Sequence, residues 1–464
     1  MRAQTVSEIA RMCGGRVIGS SHEARSGMRI DAVSTDSRAL PDAEGRNVLF
    51  VALKGPSFDG HDHVANAAVK GARAALVAHE VADAAIPQIV VADTQLALAA
   101  WAGAVQRTRT TKVAAITGSN GKTSVKALLT AILKAHGPAY STPGNRNNEI
   151  GLPLAVLDAP DDVPFAVYEM GAGQPGDIAY LVRIVQPNAA VVNNIAPAHL
   201  ERMGSLLGVA DTKAAIYDAL PPDGVAAINA DDAFAPYFAQ RAHGRRLIRF
   251  GIDASADVTA RDIRGDADGS KFRLVTPQGE ADVQLALPGR HNIANALAAT
   301  SLALGLGIPF DTIVRGLVAA TSVGGRLVAQ ALENGAVLID DSYNANPGST
   351  AAAIQILAAA SEKERWLVLG DMRELGHDAA ALHAEAGRQA KAAGLQRLYA
   401  LGALSAEAAA TFGDGAHVFD SHDALIAALA RELHAGVRVL VKGSRGSAMD
   451  KVVRALTTGG RHAA

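Results

Sequence analysis

Lys112-Val113-Ala114-Ala115-Ile116-Thr117-Gly118-Ser119-Asn120-Gly121-Lys122-Thr123-Ser124-Val125, continued to His136, is the stretch whose reading decides the fold. Residues 113–116 form a short apolar run between Lys112 and a cluster of turn residues. Beyond the cluster, Val125, Leu128, Leu129 and Ile132 recur at helical spacing until Gly137-Pro138 stops the pattern. The order is strand, glycine loop, helix. Glycine is needed where backbone N–H groups must approach an anion with no Cβ in the way. In the pattern G-x-x-x-x-G-K-[ST] the lysine reaches the β- and γ-phosphates and the hydroxyl holds Mg²⁺. Lys122 and Thr123 stand in those two places, at the end of a loop made of Gly118, Ser119, Asn120, Gly121 and Ser124 beside them. Ile116 occupies the place of the first glycine, so the match is to a shorter form. A Gly-rich turn with a surface lysine is the plainer alternative, but it does not explain the order of the three parts.

Downstream, Asn145-Arg146-Asn147-Asn148 offers many amides to a polar ligand, although turns also favour asparagine. Residues 165–168 read as a buried strand that delivers Glu169 at its carboxyl end, where ligands collect in open α/β sheets. Residues 189–194 repeat the arrangement and lead to His199, which by itself reads as structural. Lys213 lies on a helical pattern and alone would pass for a surface lysine. Residues 257–287 alternate in period two between turns, a small antiparallel insert. Asn292 and Asn295 put two amides on one helix face, suited to the donor and acceptor edge of adenine. Capping explains Asn292 equally well. After Gly324-Gly325, a plausible hinge, apolar runs alternate with helical patterns to the end, a doubly wound parallel sheet.

The 464 residues suffice for about three domains. A net charge of −2 gives no electrostatic reason to expect nucleic acid or an anionic membrane. The single cysteine, Cys13, excludes an internal disulfide. Glu8 and Arg11 in the first apolar stretch do not fit a signal peptide, and no apolar run reaches membrane-spanning length. A cytoplasmic monomer is expected. Thr5-Val6-Ser7-Glu8 has the form of a capping box, with Gly14-Gly15 ending the helix. His61 and His63 lack an acid or thiol to complete a metal set and read as a solvated loop.

Thr117-Gly118-Ser119-Asn120-Gly121-Lys122-Thr123 resembles the loop of the Mur ligases of peptidoglycan synthesis and their folylpolyglutamate synthetase relatives. So do the order Glu169, His199-Leu200, helical Lys213, and the run His291-Asn292-Ile293-Ala294-Asn295-Ala296-Leu297. Ser34-Thr35-Asp36-Ser37-Arg38 followed by Asp59-Gly60-His61 resembles the family's N-terminal domain, and Asp340-Asp341-Ser342-Tyr343-Asn344-Ala345-Asn346-Pro347 a signature of its C-terminal one.

The resemblance implies an α/β protein of three domains. Residues 1–94 would be a small substrate domain, 95–322 a central phosphate-loop ATPase domain, and 323–464 a Rossmann-like doubly wound domain. It implies ATP, two Mg²⁺ ions and a lysine carbamate at Lys213. Lys122, His199 and Lys213 would be catalytic. Thr123 and Glu169 would hold one ion, His199 and the carbamate the other. Asn295, with Asn292, would read adenine, while Arg326 and Asp341 would reach the nucleotide from the third domain. Ser34, Thr35, Asp36, Ser37, Arg38, Asn147 and Asn148 would hold the uridine diphosphate substrate. The two asparagine-rich loops are similar to the branch that adds D-alanyl-D-alanine to a UDP-N-acetylmuramoyl tripeptide. Asn344, Asn346 and Ser444 are candidates for the dipeptide. Ala215 stands where relatives often carry an acid, which leaves Lys213 itself intact. A sister ligase taking a single amino acid and a nucleotide-gated binding module are the alternatives.

Overall fold

The computed structural model describes residues 1–19, 28–40, 45–197 and 200–458. Lys112–Thr117 is an inner strand of a six-stranded, all-parallel sheet. Phe165–Glu169 and Ala139–Ser141 follow on one side, and Ala189–Val192, Val225–Asn229 and Arg246–Phe250 on the other. Successive side chains enter opposite layers, as strand geometry requires. Val113, Ala115, Tyr168 and Val192 pack into one core, and Ala114, Ile116, Val167 and Val191 into the other. A sheet covered on both faces needs continuous apolar strands rather than alternating ones, which is why residues 113–116 carry no polar side chain. The register sets Ile116 opposite Glu169 and Thr117 opposite Val192, so the loop and the acid leave the sheet at the same end.

The insert is a three-stranded antiparallel sheet of Thr259–Gly265, Ser270–Thr276 and Gly279–Leu285. In the third region, Val337–Asp341, Val437–Lys442, Glu364–Gly370, Arg397–Leu401 and Ala416–Phe419 lie parallel in that order, with Val328–Ala331 antiparallel at the edge. Arg438 bonds Asp268 of the insert at 3.0 Å and Glu362 of its own region at 2.8 Å.

The first region holds a five-stranded sheet, and the expected capping box is formed. Thr5 Oγ1 accepts from Glu8 N at 3.2 Å, and the Glu8 carboxylate accepts from Thr5 N at 2.6 Å. The helix Thr94–Arg107 belongs to two cores at once. Leu98, Trp101 and Val105 pack in the same cluster as Ile9 and Leu76 of the first sheet and as Leu157 and Leu181 of the central region. Trp101 Nε1 donates to Gln4 Oε1 at 2.7 Å. The expected break at 94/95 therefore falls in the first turn of a shared helix. His61 is not solvated: it is buried, its Nε2 accepts from Ala78 N at 2.8 Å, and Asp59 Oδ1 lies 2.5 Å from its Nδ1. Among the described residues no helix is long and apolar enough to cross a membrane.

Candidate active site

A cavity of about 660 Å³ lies where the strand ends of the central sheet meet the third region. Its wall includes Asn120, Lys122, Glu169, Asn295, Arg326 and Asp341. The helix Lys122–His136 starts at Gly121 without a side-chain cap, so its first-turn N–H groups are left for an anion. Gly121 has φ of +80°, and a Cβ there would meet Asn295 Oδ1 at 2.3 Å and Asn193 Nδ2 at 2.5 Å. Phosphate approach is thus only half the reason for this glycine; packing against two amides is the other half. Residues 193–196 brace the loop from below. Asn194 Oδ1 accepts from Asn120 N at 2.9 Å, Asn193 Nδ2 donates to Asn120 O at 3.0 Å, and Ser119 Oγ donates to Ala196 O at 3.1 Å. Lys122 Nζ arches over the loop to Gly118 O at 2.7 Å.

Glu169 gathers three partners. Its Oε2 accepts from Thr123 Oγ1 at 2.9 Å and lies 3.1 Å from Lys126 Nζ, and its Oε1 accepts from Asn147 Nδ2 at 2.9 Å. Burial works to raise its pKa, but the charges of Lys126 and Lys122 outweigh that and hold it below the usual carboxylate range. Lys126 is buried and also donates to Thr142 O and Gly144 O, tying the asparagine loop to the phosphate-loop helix. Sequence reasoning passed over it. Its signal was a charge one turn after Lys122, beside the apolar positions Val125 and Leu129.

Lys213 is 2 % exposed, and among the described residues its ammonium has no hydrogen-bond partner. Burial, with the charge of Lys122, pushes its pKa down to about 7. His199 lies outside the described residues. Asn147 and Asn148 stay at the cavity, although Asn148 Oδ1 also accepts from Gly151 N at 2.8 Å. Asn292 does not cap its helix, whose N-cap is Gly289; its Nδ2 donates back to Pro288 O at 2.8 Å. Asn295 is held between Asn193 and Asn292, at the phosphate loop.

The third region reaches the same loop. Arg326 donates to Thr123 Oγ1 at 2.9 Å, and Asn346 Nδ2 to Asn120 Oδ1 at 2.6 Å. Asn346 also caps the helix Pro347–Ala358, accepting from Ser349 N at 2.9 Å. Asp341 is paired with buried Lys442 at 2.5 Å. Asn344 is exposed at the cavity. Ser444 is turned away from it: buried, its Oγ accepts from Arg373 N at 2.8 Å and donates to Ala345 O at 3.2 Å. The residues Ser34, Thr35, Asp36, Ser37 and Arg38 do not line this cavity. Ser34 Oγ accepts from Asp36 N, and Arg38 pairs with Asp36, holding that carboxyl down at about 2.

A phosphate loop, an acid from the adjacent strand and a second α/β unit bonded to the loop define a nucleotide-dependent ligase scaffold. The family description Mur ligase middle domain matches residues 116–303, and Mur ligase, glutamate ligase domain matches residues 325–445. A UDP-N-acetylmuramoyl-tripeptide–D-alanyl-D-alanine ligase of Escherichia coli is 42 % identical over 463 residues, covering 99 % of this chain and 100 % of that one. A MurF crystal structure from Acinetobacter baumannii aligns with a TM-score of 0.91 at 33 % identity over 99 % of both chains. MurF from Thermotoga maritima in complex with ADP aligns at 0.82, with 27 % identity over 93 % of this chain and 98 % of that one. The chain belongs to the Mur ligase family, on its MurF branch.

Proposed function

We infer that the chain is an ATP-dependent ligase joining D-alanyl-D-alanine to UDP-N-acetylmuramoyl-tripeptide, giving the pentapeptide, ADP and phosphate in cytoplasmic peptidoglycan precursor synthesis. The observation that carries this is the cavity in which phosphate loop, Glu169 and third region meet, in a chain alike over its whole length to ligases of that name.

A carboxylate is a poor electrophile toward an amine at neutral pH. Moving the γ-phosphoryl group onto it makes an acyl phosphate. The dipeptide amine attacks the acyl carbon, and the tetrahedral intermediate collapses to the amide with phosphate leaving. Positioning and charge neutralisation are the protein's share of this work. Lys122 and the uncapped first-turn amides hold the phosphates. Arg326 and Asp341 reach the nucleotide from the third region, and Asn295, expected to read adenine, has its amide bonded to Asn193 and Asn292 and braces the phosphate loop. The residues present fit Mg²⁺: Thr123 and Glu169 supply hard oxygens 2.9 Å apart, and the carboxyl is held ionised. The ion would neutralise charge on the phosphates. His199 and Lys213 would hold a second ion, Lys213 as its carbamate. An ammonium has no lone pair for a cation, whereas a pKa of about 7 supplies the neutral amine that adds CO₂. With the helix Thr94–Arg107 shared between the first two, the segments 1–94, 95–322 and 323–464 then serve as substrate, nucleotide and closing units.

Mass spectrometry after incubation with ATP, Mg²⁺, UDP-N-acetylmuramoyl-tripeptide and D-alanyl-D-alanine tests the reading. ADP and pentapeptide should form only with both substrates present. Equal turnover with a single amino acid in place of the dipeptide would point to a sister ligase.

A further inference from the structure

We propose that Asn193 and Asn194 are positioning residues that turn the peptide between Asn120 and Gly121 so that its N–H faces the nucleotide phosphates. The assignment rests on the ligase reading above, in which this loop holds ATP.

Every main-chain carbonyl from Thr117 to Gly121 is bonded within the protein. Thr117 O accepts from Asn193 N at 2.9 Å, and Gly121 O from Val125 N at 2.9 Å. Lys122 Nζ covers Gly118 O and Ser119 O. Asn120 O takes two donors, Asn193 Nδ2 at 3.0 Å and Asn194 Nδ2 at 3.2 Å. The N–H groups are divided. Ser119 N donates to the main-chain O of Asn194 and Asn120 N to its Oδ1, both at 2.9 Å. Gly121 N has no hydrogen-bond partner among the described residues, and the helix after it starts uncapped. A loop whose carbonyls are satisfied while its last N–H groups are not is suited to an anion.

Local sterics do not choose that arrangement. In a trans peptide the C=O of one residue and the N–H of the next point in opposite directions. Half a turn of the peptide 120–121 would present Asn120 O to the phosphates and hide Gly121 N–H from them. Such a turn changes φ of Gly121, and glycine accepts either sign. The preference has to come from outside the loop, and two amides supply it by holding Asn120 O on the protein side. Both follow directly on the strand Ala189–Val192. Asn193 is buried, and its O accepts from Asn229 Nδ2 at 2.8 Å. Asn194 answers both the N–H and the C=O of Asn120 with one side chain, which takes a donor and an acceptor; a carboxylate lacks the donor. The side chain of Asn120 is left for Asn346 of the third region.

The test is calorimetry on the full chain with ATP and with AMP in Mg²⁺-free buffer, so that the loop rather than an ion is read. Wild type should prefer ATP. Asn193→Ala and Asn194→Ala each leave one donor on Asn120 O and should lower that preference by about threefold, the double variant by about tenfold or more. AMP lacks the β- and γ-phosphates, and its affinity for Asn194→Ala should be unchanged. Asn193 does not line the cavity, so its effect cannot come from touching the ligand. A merely structural pair would lower the melting temperature and leave the ratio of the two affinities alone. A folded double variant with the wild-type preference would overturn the assignment, as would an Asn194→Ala enzyme that loses ATP and AMP affinity alike. Where the double variant does not fold, the two single variants decide by the same ratio. A wild type that binds ATP no better than AMP would remove the loop from the nucleotide site, and the ligase reading would fall with it.

Discussion

Two strand-loop-helix units face each other across the cavity, and they treat the start of the helix in opposite ways. At Lys122–His136 no side chain caps the first turn, and the preceding glycine has φ of +80°. At Pro347–Ala358 the first turn is closed by a capping box of Asn346 and Ser349, with proline in the first turn where an N–H would otherwise lack a partner. The lysines differ in the same sense. Among the described residues Lys122 bonds only to loop carbonyls, whereas Lys442 is paired with Asp341. An uncapped helix start is left for a ligand, and a capped one is structure. What the capped unit presents to its neighbour is the outer N–H of its cap, which donates to Asn120.

The largest effect expected is at Lys122. On the proposed mechanism Lys122→Ala removes the charge that faces the transferred phosphoryl group, on the order of ~3 kcal/mol, and turnover should drop at least a hundredfold with circular dichroism unchanged. Near-normal turnover would break the comparison, since the loop would then not be the nucleotide site. Lys213→Ala comes next. Severe loss, with partial recovery in acetate, is expected from a carboxylate-like ligand at that place; retention of most activity would remove both the carbamate and the second ion from the mechanism.

Glycine sharpens the contrast. Gly121→Ala places a Cβ 2.3 Å from Asn295 Oδ1 at positive φ, where alanine costs roughly 1–2 kcal/mol, so both melting temperature and ATP affinity should fall. Gly348→Ala meets nothing nearer than 3.5 Å and lies in a helix, so its melting temperature should hold or rise slightly. Equal sensitivity at the two positions would erase the distinction between the helix starts. The smallest effect is at Asn346. Asn346→Asp keeps an acceptor for Ser349 N but loses the donor to Asn120. Stability should stay within about 1 kcal/mol while KM for ATP rises several-fold; Asn346→Ala should lose both properties.

Much of this was legible from sequence because local pattern and tertiary need coincide. The apolar run 113–116 has to lie between two cores, and the helical stripe from Val125 to Ile132 can only face one of them. Glu169 was legible because a strand ends there. Lys126 and Asn193 were not, since nothing local distinguishes a buried lysine from a solvated one. Their roles come from partners 43 and 102 positions away in the chain, Glu169 and Asn295. Ser444 misled for the converse reason: a small hydroxyl in a glycine-rich loop is as good a brace as a ligand. His61 misled in the same way, its polar neighbours forming a closed set rather than a solvated one.

The helix Thr94–Arg107 sets a limit on how this molecule can be recombined. Its apolar residues are packed on one side by the first sheet and on the other by the central region, so neither neighbour has a complete surface without it. A chimera joined at residue 94 would leave Trp101 from one parent seeking Gln4 from another. A junction placed after residue 107 would keep that pair together and move the mismatch to the contacts of the helix with the central region. The natural unit of exchange at this end of the chain is therefore longer than the sheet it carries.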